Sequence, residues 1–208
     1  MHWMRVLVLP VAIVTLSIST AQAGTNELQP KRHFKIERPA SLTNTEALTI
    51  YDNVADQMAR GYADSGDPAA RDYRQWQLFN TAPYRSATHG NRYVSNYANA
   101  KAADYAKTQN GLKLPAGAVV VKDSFTVTAE KQIFAGAFFV MEKLAAGTSP
   151  ETADWRYVMI MPDGSYFGDT SGSNAQNVDF CHGCHKAVSE NDYLYFVPEK
   201  FRRLSLAQ

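Results

Sequence analysis

The chain is short of cysteine, of net charge and of long apolar runs. Two cysteines in 208 residues are too few for a disulfide scaffold. Lysine plus arginine number 21 against 20 acidic residues, so no field of one sign favours nucleic acid or an anionic membrane surface. The longest apolar run, Val6 to Ile18, falls short of a membrane span and is interrupted by Pro10 and Thr15. Glycine and proline stand at ordinary levels, 12 and 9 residues, which excludes collagen and low-complexity chains. What is present is a 45% hydrophobic, 12% aromatic chain, enough to bury one sizeable core.

Met1 to Arg5 is a short basic start to that apolar run, and Ala21-Gln22-Ala23 supplies the small-x-small pattern of a signal peptidase site. The expectation is a signal peptide over residues 1–23, cleaved near Ala23, and an exported, periplasmic polypeptide without stable membrane insertion. Gly24 to Ala40 is polar and aperiodic and reads as a lead-in, with His33 a surface residue.

Leu48, Tyr51, Ala55 and Met58 recur at helical spacing and predict a helix over Thr45 to Arg60. Gly61 to Pro68 breaks it, and a second short helix runs from Ala69 towards Trp76. Arg92 to Tyr97 reads as a strand and Ala98 to Lys107 as a helix. Val119 to Val127, the apolar stretch Phe134 to Leu144, and Trp155 to Met161 read as three more strands, the last ended by Pro162-Asp163-Gly164. Short connections between them favour an antiparallel sheet over parallel crossovers. The fold class is α+β, mainly antiparallel sheet with flanking helices. Ser173-x-x-Gln176 fits a capping box for a final helix over Asn177 to Val188.

That final helix carries Cys181-His-Gly-Cys184-His185. Two thiols and an imidazole within about one turn are what covalent haem c needs, with Cys181 and Cys184 as anchors and His185 as iron ligand. A thioredoxin-like pair would sit early, after a strand, and structural zinc would need a fourth ligand. A plain disulfide leaves the following histidine unexplained. His182 is expected to be an exposed helix residue and His89, in Thr88-His89-Gly90, a surface one. Met58, Met141 and Met159 are expected in the core rather than on iron.

Residues 71–203 resemble the cytochrome P-460 family, which includes the cytochromes c′-beta. Tyr73-Arg-Gln-Trp76, Asn91-Arg-Tyr-Val-Ser-Asn-Tyr97, Gly117-Ala-Val-Val-Val-Lys122, Phe138-Phe-Val-Met-Glu142, Asp154-Trp155 and Phe180-Cys-His-Gly-Cys-His185 follow in the family's order and spacing. The resemblance divides the chain into the signal peptide, an N-terminal extension over 24–70 and a haem domain over 71–208.

It implies one covalently attached haem c with an open distal side, a homodimer and a redox partner protein. It implies a bond from Lys122 to the porphyrin and oxidation of hydroxylamine, or, in the c′-beta branch, no such bond, a phenylalanine cap and nitric oxide binding. A simple electron-transfer cytochrome is the third possibility. Lys122 then becomes a haem-contacting residue, where without the likeness it reads as a solvated strand lysine. Glu142 becomes the distal proton acceptor and Arg92 a ligand- or propionate-binding group. Phe79, Tyr84, Phe125, Phe138, Phe139 and Phe180 supply aromatic mass for the pocket.

Overall fold

A computed structural model describes residues 38–203; the expected signal peptide, most of the lead-in and His33 lie outside the described residues. The first helix, α1, runs Asn44–Ala63. Thr43 caps it, its hydroxyl accepting from the Glu46 N–H while the Glu46 carboxylate accepts from Thr43, so orphan amides at both positions are satisfied. Ala47, Tyr51, Ala55, Met58 and Tyr62 form its buried stripe. The helix passes through Gly61, because a glycine close to the helix end costs only about 1 kcal/mol relative to alanine. A side chain there would strike the Pro162 carbonyl. A short α2, Pro68–Asp72, follows with Asp67 as its cap. It gives way to one 3-10 turn, Tyr73–Gln75.

The sheet is antiparallel throughout. Its strands are β1 (Gln77–Leu78), β2 (Tyr84–Ser86), β3 (Arg92–Ala98), β4 (Val119–Val127), β5 (Ile133–Ala135), β6 (Phe138–Lys143), β7 (Trp155–Ile160) and β8 (Tyr166–Asp169). The order is β1-β3-β4-β6-β7-β8, with β2 beside β3 and β5 beside β4. The stretch Phe134 to Leu144 is therefore two strands, because the chain breaks at Gly136. A side chain at that glycine would strike Ser124 Oγ and Arg92. The Pro162-Asp163-Gly164 turn leads into β8, a strand without a sequence signal of its own, and Gly164 there has φ 81°.

Alternation sorts the strand residues onto two faces. Tyr93, Tyr97, Val121, Phe125, Phe138, Val140, Val158 and Ile160 pack with the α1 stripe. Val94, Val120, Met141 and Tyr157 turn the other way, towards Tyr105 and the C-terminal Leu194 and Val197. Two helix expectations need correction. Ala98 to Lys107 forms 3-10 turns over Ala100–Ala102 and Tyr105–Asn110. Its buried residues Ala102, Tyr105 and Thr108 recur every third position, the 3-10 rather than the α period. The capping box at Ser173 does not form, because Asn174 is left-handed (φ 56°) and the Ser173 carbonyl is engaged by the Asp169 N–H. The α-helix proper, α3, is Asp179–His185, followed by a 3-10 segment, Lys186–Asn191. Among the described residues no helix is long and apolar enough to cross a membrane.

Candidate functional site

The second sheet face and α3 line a common, mostly apolar cavity. Cys181, Cys184 and His185 line it from the helix, and Lys122, Phe139, Met141 and Tyr157 line it from the sheet. Helical spacing of three and four residues puts the three motif side chains on one surface. Both cysteines are free thiols. Burial pushes the Cys181 thiol up to about 12, opposite to the lowered value of a redox-active pair. Among the described residues no group of three or more metal-ligating side chains gathers for zinc.

His185 is buried, and its Nδ1 lies 2.6 Å from the Tyr193 carbonyl oxygen. A carbonyl only accepts, so Nδ1 carries the proton and Nε2 is the nitrogen whose lone pair could ligate a metal. The rings of Tyr157 and Tyr195 meet the imidazole edge-on, at 5.6 and 5.4 Å. An oriented imidazole beside two unpaired thiols on an apolar cavity has the chemistry to hold a haem.

Lys122 is 8% exposed, on the cavity face between Asn96 of β3 and Phe139 of β6. Among the described residues it has no hydrogen-bond or ion-pair partner, and burial pulls its amine down to about 8. About a tenth of it is then neutral and nucleophilic at pH 7, a far larger share than for an ordinary lysine.

Glu142 does not reach the cavity. It lies three positions beyond Phe139, so the strand's period of two turns it to the α1 face. There Arg156 Nη1 donates to its carboxylate at 2.8 Å, and the same guanidinium binds Asp169 and Asp67. The expected distal role of Glu142 is set aside on this geometry. Arg92 is buried but does not line the cavity; its Nη1 donates to the His89 carbonyl at 3.2 Å. Desolvation lowers its guanidinium pKa, with Tyr62 opposing.

His89, expected at the surface, is buried and lines the cavity. Its ring meets Phe139 edge-on at 4.9 Å, and Ser86 Oγ lies 2.8 Å from Nδ1. His182 is half-buried rather than exposed, stacked on Tyr193, and is not among the cavity's lining residues. Of the aromatics, Phe139 and Phe180 line the cavity. Phe125 and Phe138 belong to the α1 core, and Phe79 and Tyr84 to the C-terminal cluster. Met58 and Met159 are core residues, whereas Met141 also borders the cavity.

No curated protein matches the chain. The family model described as Cytochrome P460 matches residues 70–196, more than half of the chain, and that span contains every cavity-lining residue named above. The chain belongs to the cytochrome P460 family and is a haem cytochrome of that kind.

Proposed function

We propose that this is an exported, periplasmic cytochrome with one covalent haem c, and that it oxidises hydroxylamine and passes the electrons to a redox partner protein. The observation that carries this reading is Lys122, an amine without a partner among the described residues, which lines from the sheet the same cavity that Cys181, Cys184 and His185 line from α3. When bound, the haem supplies a ferric iron that accepts electrons from a nitrogen ligand. Cys181 and Cys184 would anchor the group through two thioethers, each Sγ–H adding across one vinyl group so that no atom is lost. His185 Nε2 would hold the metal from the α3 side.

Lys122 would be the residue to bond a ring carbon in place of hydrogen, a replacement that would give up two electrons and two protons to an oxidant of the peroxide class. His89, its ring fixed by Ser86 and Phe139, takes protons from the bound substrate in the role first expected of Glu142. Arg92 keeps His89 in place through its carbonyl. Phe139, Met141 and Val120 exclude bulk water. The homodimer implied by the family likeness belongs to this proposal too.

Steady-state turnover of hydroxylamine with an artificial electron acceptor tests the reading. We expect turnover by the haem-loaded protein and a fall of at least about a hundredfold in His89→Ala, the lower end of general-base contributions. Absence of turnover removes the enzyme claim. A second reading, reversible nitric oxide binding without turnover, draws on Phe139 and Phe180 as apolar caps of the cavity. Tight nitric oxide binding with no hydroxylamine turnover favours it. A six-coordinate, low-spin spectrum in both oxidation states favours simple electron transfer.

A further inference from the structure

Seven residues beyond His185 the chain turns through two consecutive left-handed residues, Asp192 (φ 55°) and Tyr193 (φ 63°). Neither is glycine, and such backbone costs about 1–2 kcal/mol per residue. It persists only where the surroundings over-determine it. Here they do. The Asp192 side chain, 1% exposed, accepts from the Leu114 N–H at 2.8 Å and from Lys143 Nζ at 2.9 Å. Lys113 adds a weaker approach at 3.9 Å.

Lys143 is held in turn. Its ammonium donates to the Ala153 carbonyl at 3.2 Å and lies 4.7 Å over the ring of the fully buried Trp155. On the other side of the turn the Tyr193 N–H donates to the Val188 carbonyl at 3.1 Å, and its ring stacks on His182. The product of these constraints is one contact, the Tyr193 carbonyl 2.6 Å from His185 Nδ1. A buried ion pair is weak evidence for stability, so its place on a strained turn calls for another reason. Aiming an acceptor at the imidazole is that reason. A strong acceptor on Nδ1–H raises the electron donation of Nε2 and fixes the plane of the ring.

We propose that Lys143 and Asp192 are positioning residues for the axial imidazole. By locking the Asp192–Tyr193 turn they press the Tyr193 carbonyl onto His185, and so set the iron–imidazole bond and the reduction potential of the haem. The end of β6 thereby tunes a ligand more than forty positions away along the chain. This inference rests on the proposed ligation of haem by His185.

The test uses the haem-loaded protein, resonance Raman spectroscopy of the ferrous iron–histidine stretch and redox titration. In Asp192→Asn the stretch moves to lower frequency and the potential moves upward, because a less basic imidazole stabilises ferric iron less. Lys143→Met moves both the same way, and Lys143→Arg restores both towards wild type. The double variant Lys143→Met/Asp192→Asn leaves no uncompensated buried charge. It serves if the single variants fail to fold, and it carries the same expected shifts. Thermal stability falls whether the pair aims or merely staples, so it decides nothing. Folded, haem-loaded variants with unchanged stretch and potential overturn the inference while leaving the haem reading intact. Wild-type protein without an iron–histidine band overturns both.

Discussion

Lys122 and Asp123 are neighbours on β4, both buried and both ionisable, yet the two faces of the sheet treat them in opposite ways. On the α1 face the Asp123 carboxylate accepts hydrogen bonds from the hydroxyls of Tyr51 and Tyr73. Arg74 ties Tyr51 to Tyr97 behind them. On the cavity face Lys122 meets no such partner among the described residues. A closed core cannot leave a charge unpaired without loss of stability. On the function proposed above, a cofactor in the cavity would supply what Lys122 lacks. The difference would then separate the face that stabilises the fold from the face proposed to do chemistry.

The comparison breaks most severely at the motif. His185→Ala, or Cys181→Ser with Cys184→Ser, is expected to remove stably attached haem from the purified protein, while Tyr51→Phe on the other face leaves haem content unchanged. Pyridine haemochrome spectra read the difference.

Next in size are the pH profiles of haem-free protein, which should slope in opposite directions. Burial raises Asp123 from 3.8 to about 6, against the opposing hydrogen bonds of Tyr51 and Tyr73. The folded state therefore holds this proton longer than the unfolded one, and stability falls as pH rises from about 4 to about 6. Burial lowers Lys122 from 10.5 to about 8, so the unfolded chain binds that proton more tightly. Stability accordingly rises as pH goes from about 8 to about 10.5. Each effect is worth about 3 kcal/mol, since every tenfold difference in proton affinity between the folded and unfolded chain contributes about 1.4 kcal/mol. Urea midpoints across the two windows check both signs. Asp123→Asn should flatten only the acid window and Lys122→Met only the alkaline one.

Of comparable size is Met58→Ala in the α1 stripe, expected to cost about 2–5 kcal/mol in urea unfolding with no change in haem content. Smallest is Thr43→Ala at the α1 cap, about 1 kcal/mol. An equal loss of haem in either variant would contradict the separation of the two faces.

Much of this division was legible in the sequence. The β-branched run Val119–Val127 is β4 as observed, and the period of Tyr51, Ala55 and Met58 is α1. The motif cysteines and histidine are distinctive at any location. What stayed hidden depends on register and on contacts between distant segments. Glu142 and Lys122 both stand on plausible strands, but only the pairing of Lys122 with Phe139 shows that an odd offset puts Glu142 on the opposite face. His89 sits in a polar loop with no periodic signal. Its burial comes from Phe139, fifty positions on, and from the Arg92 clasp. The β8 strand, Tyr166–Asp169, is too short to announce itself, and its edge pairing with β7 makes it a strand. Asp192 carries no motif at all, since its importance lies in where it aims the next residue's carbonyl.

The central claim is that one cavity joins Lys122 to Cys181, Cys184 and His185 around a single haem. Proteolytic haem-peptide mapping by mass spectrometry tests it most directly. The account predicts that the peptide bearing Cys181 and Cys184 travels with the haem and that a Lys122-containing peptide travels with both. A haem-free Cys181–Cys184 peptide with its thiols unmodified, from protein matured in cells competent for cytochrome c assembly, would contradict it.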